Sequence, residues 1–188
     1  MAQYKANMPV FAPITGETDK TTTYGTGIVL GKFMSAEIKP NYIEGSLYGD
    51  DALAEYEKEF QNADVTLGTT FLPIDASEAM FGESVTGEEG TETVTAGTND
   101  AAAYGGFGFV TAEKHNGESK FVMYWLHKVK FGAPSDTIST KGENITFNTP
   151  SIEGKAIGDA AGNWRTKQYF ETAAEAVEAL KTKAGIAT

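Results

Sequence analysis

One stretch constrains the fold more than any other: residues 104–131 read as a single long β-hairpin. The first arm, Tyr104 to Glu113, places Phe107, Phe109 and Thr111 on one face. Asn116-Gly117 follows, a dipeptide that tolerates positive φ at both positions and so suits a tight turn. The return arm is apolar at Phe121, Met123, Trp125, Val129 and Phe131, with His127 as the exception. Its alternate positions begin apolar with Val122, Tyr124 and Leu126, then turn basic at Lys128 and Lys130. A strand apolar on both faces is covered on both sides, so the pattern predicts a central strand. Its core anchors are Phe107, Phe109, Met123, Trp125 and Phe131, each contributing roughly 1.5–3 kcal/mol when fully buried.

The flanking sequence is read against this hairpin. Residues 1–23 are polar, with Pro9 and Pro13 as breakers, and predict an irregular N-terminal arm. Gly27 to Met34 predicts one short buried strand, and Ser35 to Ile43 a more polar one that Pro40 places at an edge or strand end. Residues 48–60 fit two patterns. As a helix, Asp50 caps it and Leu53, Tyr56 and Phe60 share a face. As a strand, Ala52, Ala54, Tyr56, Lys58 and Phe60 alternate with Leu53, Glu55, Glu57 and Glu59. Propensity favours the helix, and the pattern alone leaves both open.

Asp64 to Leu72 alternates as a strand that Pro73 stops, and Asp75-Ala76-Ser77-Glu78 reads as a capping box opening a short helix that Gly82 ends. Residues 83–103 predict an exposed loop, with a weak strand at Thr91 to Thr95. Gly132 to Asp136 reads as a turn, Ile145 to Thr149 and Ser151 to Ile157 as strands, and residues 160–163 as another turn. Trp164 to Phe170 leads into a last helix, with Thr172 and Glu175 as its capping box, Ala173, Ala176, Val177 and Leu180 as its apolar stripe, and Gly185 at its end. The whole of 1–188 reads as one domain: a mainly β (α+β), antiparallel sandwich or barrel-like fold with one short internal helix and a C-terminal helix.

Composition narrows the function classes. The chain has no cysteine, a formal net charge of −11 and Arg165 as its single arginine. Disulfides, thiol catalysis and cysteine-based zinc sites drop out together, and gripping nucleic acid through its phosphates is disfavoured. No signal peptide or membrane-spanning apolar run is present, so the sequence predicts a soluble product made in the cytoplasm. His115 and His127 have no carboxylate at a matched spacing and read as structural. Asp50 and Asp51 are adjacent, so on a strand they point apart and converge poorly as an acid/base or metal pair. Gly25-Thr26-Gly27 lacks the third glycine of a dinucleotide loop, since Leu30 stands there. Gly105, Gly106 and Gly108 mark a close approach of backbones, and the Asn144 sequon means nothing without secretion. The expectation is no catalysis, no metal and no cofactor.

Three segments carry a resemblance to a known family. They are Ile43-Glu44-Gly45-Ser46-Leu47-Tyr48-Gly49-Asp50-Asp51 running on to Asp64-Val65-Thr66-Leu67-Gly68, the short helix closing at Met80-Phe81-Gly82, and the hairpin of Tyr104 to Phe131 with Ile145 to Phe147 and Ser151 to Gly154 after it. In their order and spacing the chain resembles the major tail tube proteins of long-tailed bacteriophages, particularly those of Gram-positive hosts and their prophages.

That resemblance implies a sandwich flanked by a helix. It also implies six subunits closing a ring, and rings stacking into a tube through which DNA passes into the host. Partners would be further copies of the chain, the tape measure, the tail terminator and the baseplate or distal tail proteins, and the location would be the virion tail, assembled in the host cytoplasm. It implies that residues 40–60 form a long loop or strand extension, 48–60 being a loop entering a strand. Tyr48, Gly49, Asp50 and Asp51 become the candidate inter-ring contact. Glu55, Glu57 and Glu59 become candidates for an acidic lumen face, or for the contact if the strand is turned the other way. A negative lumen would repel the phosphate backbone. A headless, phage-tail-like bacteriocin would use a similar subunit. From another class, a monomeric carbohydrate- or ligand-binding sandwich would use Trp125, Trp164 and Tyr104 for stacking, and tryptophans buried in the core would count against it.

Overall fold

The computed structural model describes residues 2–50, 52–115, 117–135 and 149–187. In chain order they form β1 (Ala2–Thr18), β2 (Thr21–Tyr24), β3 (Ile28–Val29), β4 (Phe33–Gly49) and β5 (Ala52–Thr69). A short helix follows, α1 (Ile74–Ala76), continued by a π-helical turn (Ser77–Phe81). Then come β6 (Ser84–Thr86), β7 (Thr93–Thr95), β8 (Tyr104–His115), β9 (Glu118–Phe131), β10 (Ser151–Ile157), β11 (Arg165–Phe170) and the C-terminal helix α2 (Ala173–Lys183). The fold is mainly β, antiparallel, with two helices. The expected strand at 145–149 falls almost wholly outside the described residues, as do Asn144, Asn116, Asp51 and Asp136.

Among the described residues nine strands share one sheet, ordered β2-β1-β8-β9-β10-β5-β4, with β11 also on β9 and β3 on β1; β6 and β7 form a separate pair. The sheet folds over on itself. Phe33 of β4 meets Phe109 of β8 with ring centroids 5.1 Å apart. Phe11, Phe107, Phe109 and Leu126 from one half then share a core with Val65, Leu67 and Ile152 from the other, and with Met80 and Phe81 of the π turn. On the far side of β1, β8 and β9, Val10, Val110, Met123 and Trp125 pack against Ala176 and Leu180 of α2.

This layering accounts for the doubly apolar β9. Val122, Tyr124 and Leu126 enter the sandwich core while Met123 and Trp125 face α2. Beyond His127 the assignment reverses, because Val129 and Phe131 join the sandwich core, next to a register shift between Gly105 and Phe107 on β8. The two-residue connection pairs His115 with Glu118, and Gly117 takes φ 91° as a tight turn requires. The glycines of β8 make room for side chains: a Cβ on Gly106 would lie 2.1 Å from the Trp125 indole.

Several expectations are corrected. The N-terminal arm is a strand, because each proline sits where the ladder does not need its missing N–H. Pro9 falls within a register shift between Asn7 and Val10, and Pro13 at the point where β1 passes from pairing β8 to pairing β2. Their carbonyls accept from Leu30 and Gly25. The single strand expected over 27–34 is broken at Gly31, whose φ of 65° turns the chain against the Phe71 carbonyl. Pro73, not Asp75, is the N-cap of α1, without a side-chain cap, so the expected capping box is absent there; Gly82 does end the turn, at φ 72°. The exposed 83–103 stretch does contain the weak strand expected at Thr91 to Thr95, as β7, and pairs it with the unexpected β6; 165–170 is a full strand on β9 rather than a lead-in to α2. Thr172 and Glu175 do form the reciprocal capping box of α2. Pro40 lies on β4, the edge strand.

Candidate functional site

β4 and β5 are far longer than their neighbours, and only part of each belongs to the sandwich. β10 pairs β5 over Ala63 to Gly68, and beyond that, among the described residues, β4 and β5 pair only with each other. A register shift at Asn41/Tyr42, opposite Asn62 and Phe60, marks the departure. It is pinned by the Asn41 side-chain amide, which donates to Asn62 (3.0 Å) and to Asp64 Oδ2 (2.7 Å). That hydrogen bond, with Lys155 beside it, holds the Asp64 carboxyl below the usual carboxylate range. Tyr48 and Gly49, and Ala52 to Phe60, are therefore strand rather than helix, and the chain turns at Asp50 with φ 50°. The pair from Tyr42/Phe60 to Gly49/Ala52 overhangs by about 25 Å at strand rise.

The register gives the overhang two chemically distinct faces. Glu55, Glu57 and Glu59 share one, opposite Leu47, Gly45 and Ile43. All three are exposed, and no ion pair among the described residues uses them. The other face carries Tyr42, Glu44, Tyr56, Lys58 and Phe60. Phe60 packs against the sandwich core, so this face continues the core side of the sheet, with Tyr42 and Tyr56 exposed on it and no second layer over it among the described residues. Lys58 bonds Glu44 at 2.5 Å and lies 4.6 Å from the centre of the Tyr42 ring. Hydrogen bonds from Lys58 and Tyr56 draw the Glu44 carboxyl down, and the Glu44 contact draws Lys58 up. Large apolar side chains lie open along the overhang, among them Tyr48 at 70% and Leu47 at 61% exposure. Such a run of exposed apolar residues on one element marks an interaction surface.

The expected contact residues Tyr48, Gly49 and Asp50 sit at the tip of this overhang, with Asp51 outside the described residues. The core anchors Phe107, Phe109, Met123, Trp125 and Phe131 are all buried. Of the stacking residues required by a carbohydrate site, Trp125 is fully buried, and Trp164 stacks on Phe60 with the Arg165 guanidinium 4.4 Å from its ring centre. Tyr104 is 40% exposed, with the Lys128 and Lys130 ammonium groups 5.1 and 4.9 Å from its ring centre.

Sequence reasoning missed one polar cluster. His127 Nδ1 lies 2.8 Å from Asp159 Oδ2, and His127 Nε2 lies 2.7 Å from Thr166 Oγ1. Asp159 Oδ1 accepts from the amides of Ala161 and Asn163, and Tyr24 Oη donates to the His127 carbonyl at 2.8 Å. Burial depresses the His127 pKa, with Lys183 adding to it and Asp159 opposing. The neutral ring then donates from Nδ1 to Asp159 and accepts the Thr166 hydroxyl at Nε2. This carboxylate–imidazole–hydroxyl order resembles a nucleophile relay. Here, however, the carboxylate's second oxygen closes its own turn and the hydroxyl sits on a paired strand, so the cluster fastens the β10–β11 turn to β9. Nothing in sequence links 127, 159 and 166; the only local signal is Asp159 opening a turn. Among the described residues no group of three or more His, Cys, Asp or Glu is arranged to hold a metal ion.

Neither a scan against protein-family models nor a search of curated proteins gives a significant match for this chain.

Proposed function

We propose that the chain is a structural subunit that assembles with copies of itself into stacked hexameric rings, forming a phage tail tube that conducts DNA. The observation that carries this reading is the overhanging β4–β5 hairpin. Its core-side face ends in Tyr42 and Tyr56, both exposed among the described residues, and its opposite face carries a row of carboxylates. A monomer gains little from about 25 Å of unroofed hairpin, since two strands alone are marginal in water. A neighbouring copy that roofs the aromatic face converts the exposed area into interface. Glu55, Glu57 and Glu59 then line the lumen, where like charge keeps DNA from adhering. Tyr48 to Asp50 touch the next ring. The long β4 edge, unpaired on its outer side among the described residues, supports the same reading, because edge strands are joined or protected.

Within this function the chain carries no catalytic step and no cofactor. Its partners are further copies, the tape measure, the terminator and the distal tail proteins. Negative-stain electron microscopy of concentrated protein tests it: hollow rings or tubes are expected. A particle that stays monomeric even when co-expressed with neighbouring tail genes overturns it.

A further inference from the structure

A second feature lies where the folded-over sheet stays open, between the start of β4 and β11. The cleft there has a volume of about 590 Å³. Its apolar wall includes Ala36, Ile38 and Phe109, and its cations are Lys5, Arg165 and Lys167. In a chain of net charge −11 with a single arginine, three cations and no carboxylate among the lining residues form a sharp local inversion. None of the three enters an ion pair among the described residues. Two are held against aromatic faces instead. The Arg165 guanidinium lies 4.4 Å from the Trp164 ring centre, and the Lys167 ammonium 4.6 Å from that of Tyr124. Lys5 comes from a register shift in β1 and has φ 77°, a backbone conformation rare outside glycine. Glu113, buried and hydrogen-bonded by Tyr124, stands behind the floor rather than in it.

Resting on the tube reading, we propose that this cleft is the socket for the β6–β7 turn of a second copy, with Glu88 and Glu89 entering it. Gly87 and Gly90, at φ 109° and 89°, bring the two glutamates to a narrow tip, and both are exposed. No ion pair among the described residues uses either glutamate. The β6–β7 pair stands apart from the main sheet, and a two-stranded hairpin on its own needs outside support. In the cleft, carboxylates meet a guanidinium fork and two ammonium groups that are exposed in the single copy, and docking shields these pairs from water, which strengthens them. The row of Glu55, Glu57 and Glu59 lies along a flat strand face and cannot enter a cleft in this way. No residue of 83–103 lines the cleft, so plug and socket are different surfaces. Such an interface is heterologous and propagates from copy to copy, as a ring or stack requires.

The absence of native cysteine makes the test direct. Copies carrying Lys167→Cys are mixed with copies carrying Glu89→Cys, assembled, and treated with a short bis-maleimide, with electron microscopy on the same sample. A cross-linked dimer in assembled particles, absent from dilute monomer, is expected. Particles without that cross-link, or with Lys167→Cys joined to Glu57→Cys instead, overturn the docking and leave the tube reading standing. Failure of the unmodified chain to assemble, even with tail partners, overturns both. Charge exchange gives a second readout. Arg165→Glu with Lys167→Glu should raise the concentration needed for assembly by about tenfold or more, and Glu88→Lys with Glu89→Lys on the partner copy should restore it. A reversed cleft that still melts normally and assembles like the wild type contradicts the proposal. So does duplex DNA competing for the cleft in place of the second copy.

Discussion

Phe60 and Trp164 stack with ring centroids 4.5 Å apart and planes 13° from parallel, at the point where the β4–β5 hairpin leaves the sandwich. Phe60 is the last residue of the overhang that still packs on the core, and Trp164 immediately precedes β11. The stack is therefore the hinge-pin that sets the direction of the overhang. Replacing Phe60 with Ala should cost about 2–3 kcal/mol in urea unfolding, less than the ~3–5 kcal/mol of a fully buried ring because Phe60 is half-buried. It should also impair assembly beyond that loss, through a misdirected hairpin, which sedimentation of the folded variant would detect.

The acidic row should affect DNA passage and not folding. Glu55→Lys, Glu57→Lys and Glu59→Lys together leave monomer stability within about 1 kcal/mol, because these side chains are exposed and unpaired among the described residues. Assembled particles of the triple variant should retain duplex DNA at low salt and release it as salt rises, whereas wild-type particles retain none.

His127 supplies a pH dependence with a defined sign. Its pKa in the folded chain is lowered from 6.5, chiefly by burial, so the folded state favours the neutral ring. The stabilisation is present above pH 6.5 and is lost as pH falls through the lower, folded value. The lowered carboxyls of Glu44 and Asp64 start from 4.5 and 3.8, so their losses come at more acid pH and separate from that of the histidine. Urea midpoints should fall from pH 7.5 towards pH 5, and His127→Gln should flatten that slope while lowering stability at neutral pH.

Gly106 should not tolerate a side chain. The Cβ of Gly106→Ala would lie 2.1 Å from Trp125 Cζ2, inside the layer between β9 and α2. A loss of about 3 kcal/mol is expected in denaturant unfolding, since neither the fully buried indole nor the paired backbone can withdraw.

The central hairpin was legible because alternation and the two-residue turn agree on one register, and tertiary packing uses both faces as the pattern says. β1 was not legible because proline is a breaker only where its N–H is needed; at Pro9 and Pro13 register shifts and partner changes remove that need. The overhang was ambiguous for a different reason. Ala, Leu, Glu and Lys over 52–59 favour a helix locally, and pairing with β4 overrides them. Which side of β5 is acidic depends on the register shift beside Asn62, a one-residue event that alternation cannot anticipate. The His127–Asp159–Thr166 cluster and the Lys5–Arg165–Lys167 cleft each draw on separate elements, so no spacing in the chain announces them.

The most direct test of the proposed tube function is the state of the purified chain under negative stain, concentrated and at rising salt, alone and co-expressed with phage tail proteins. The account predicts hollow rings or tubes of uniform diameter with sixfold end views. Monomers under every one of these conditions would contradict it.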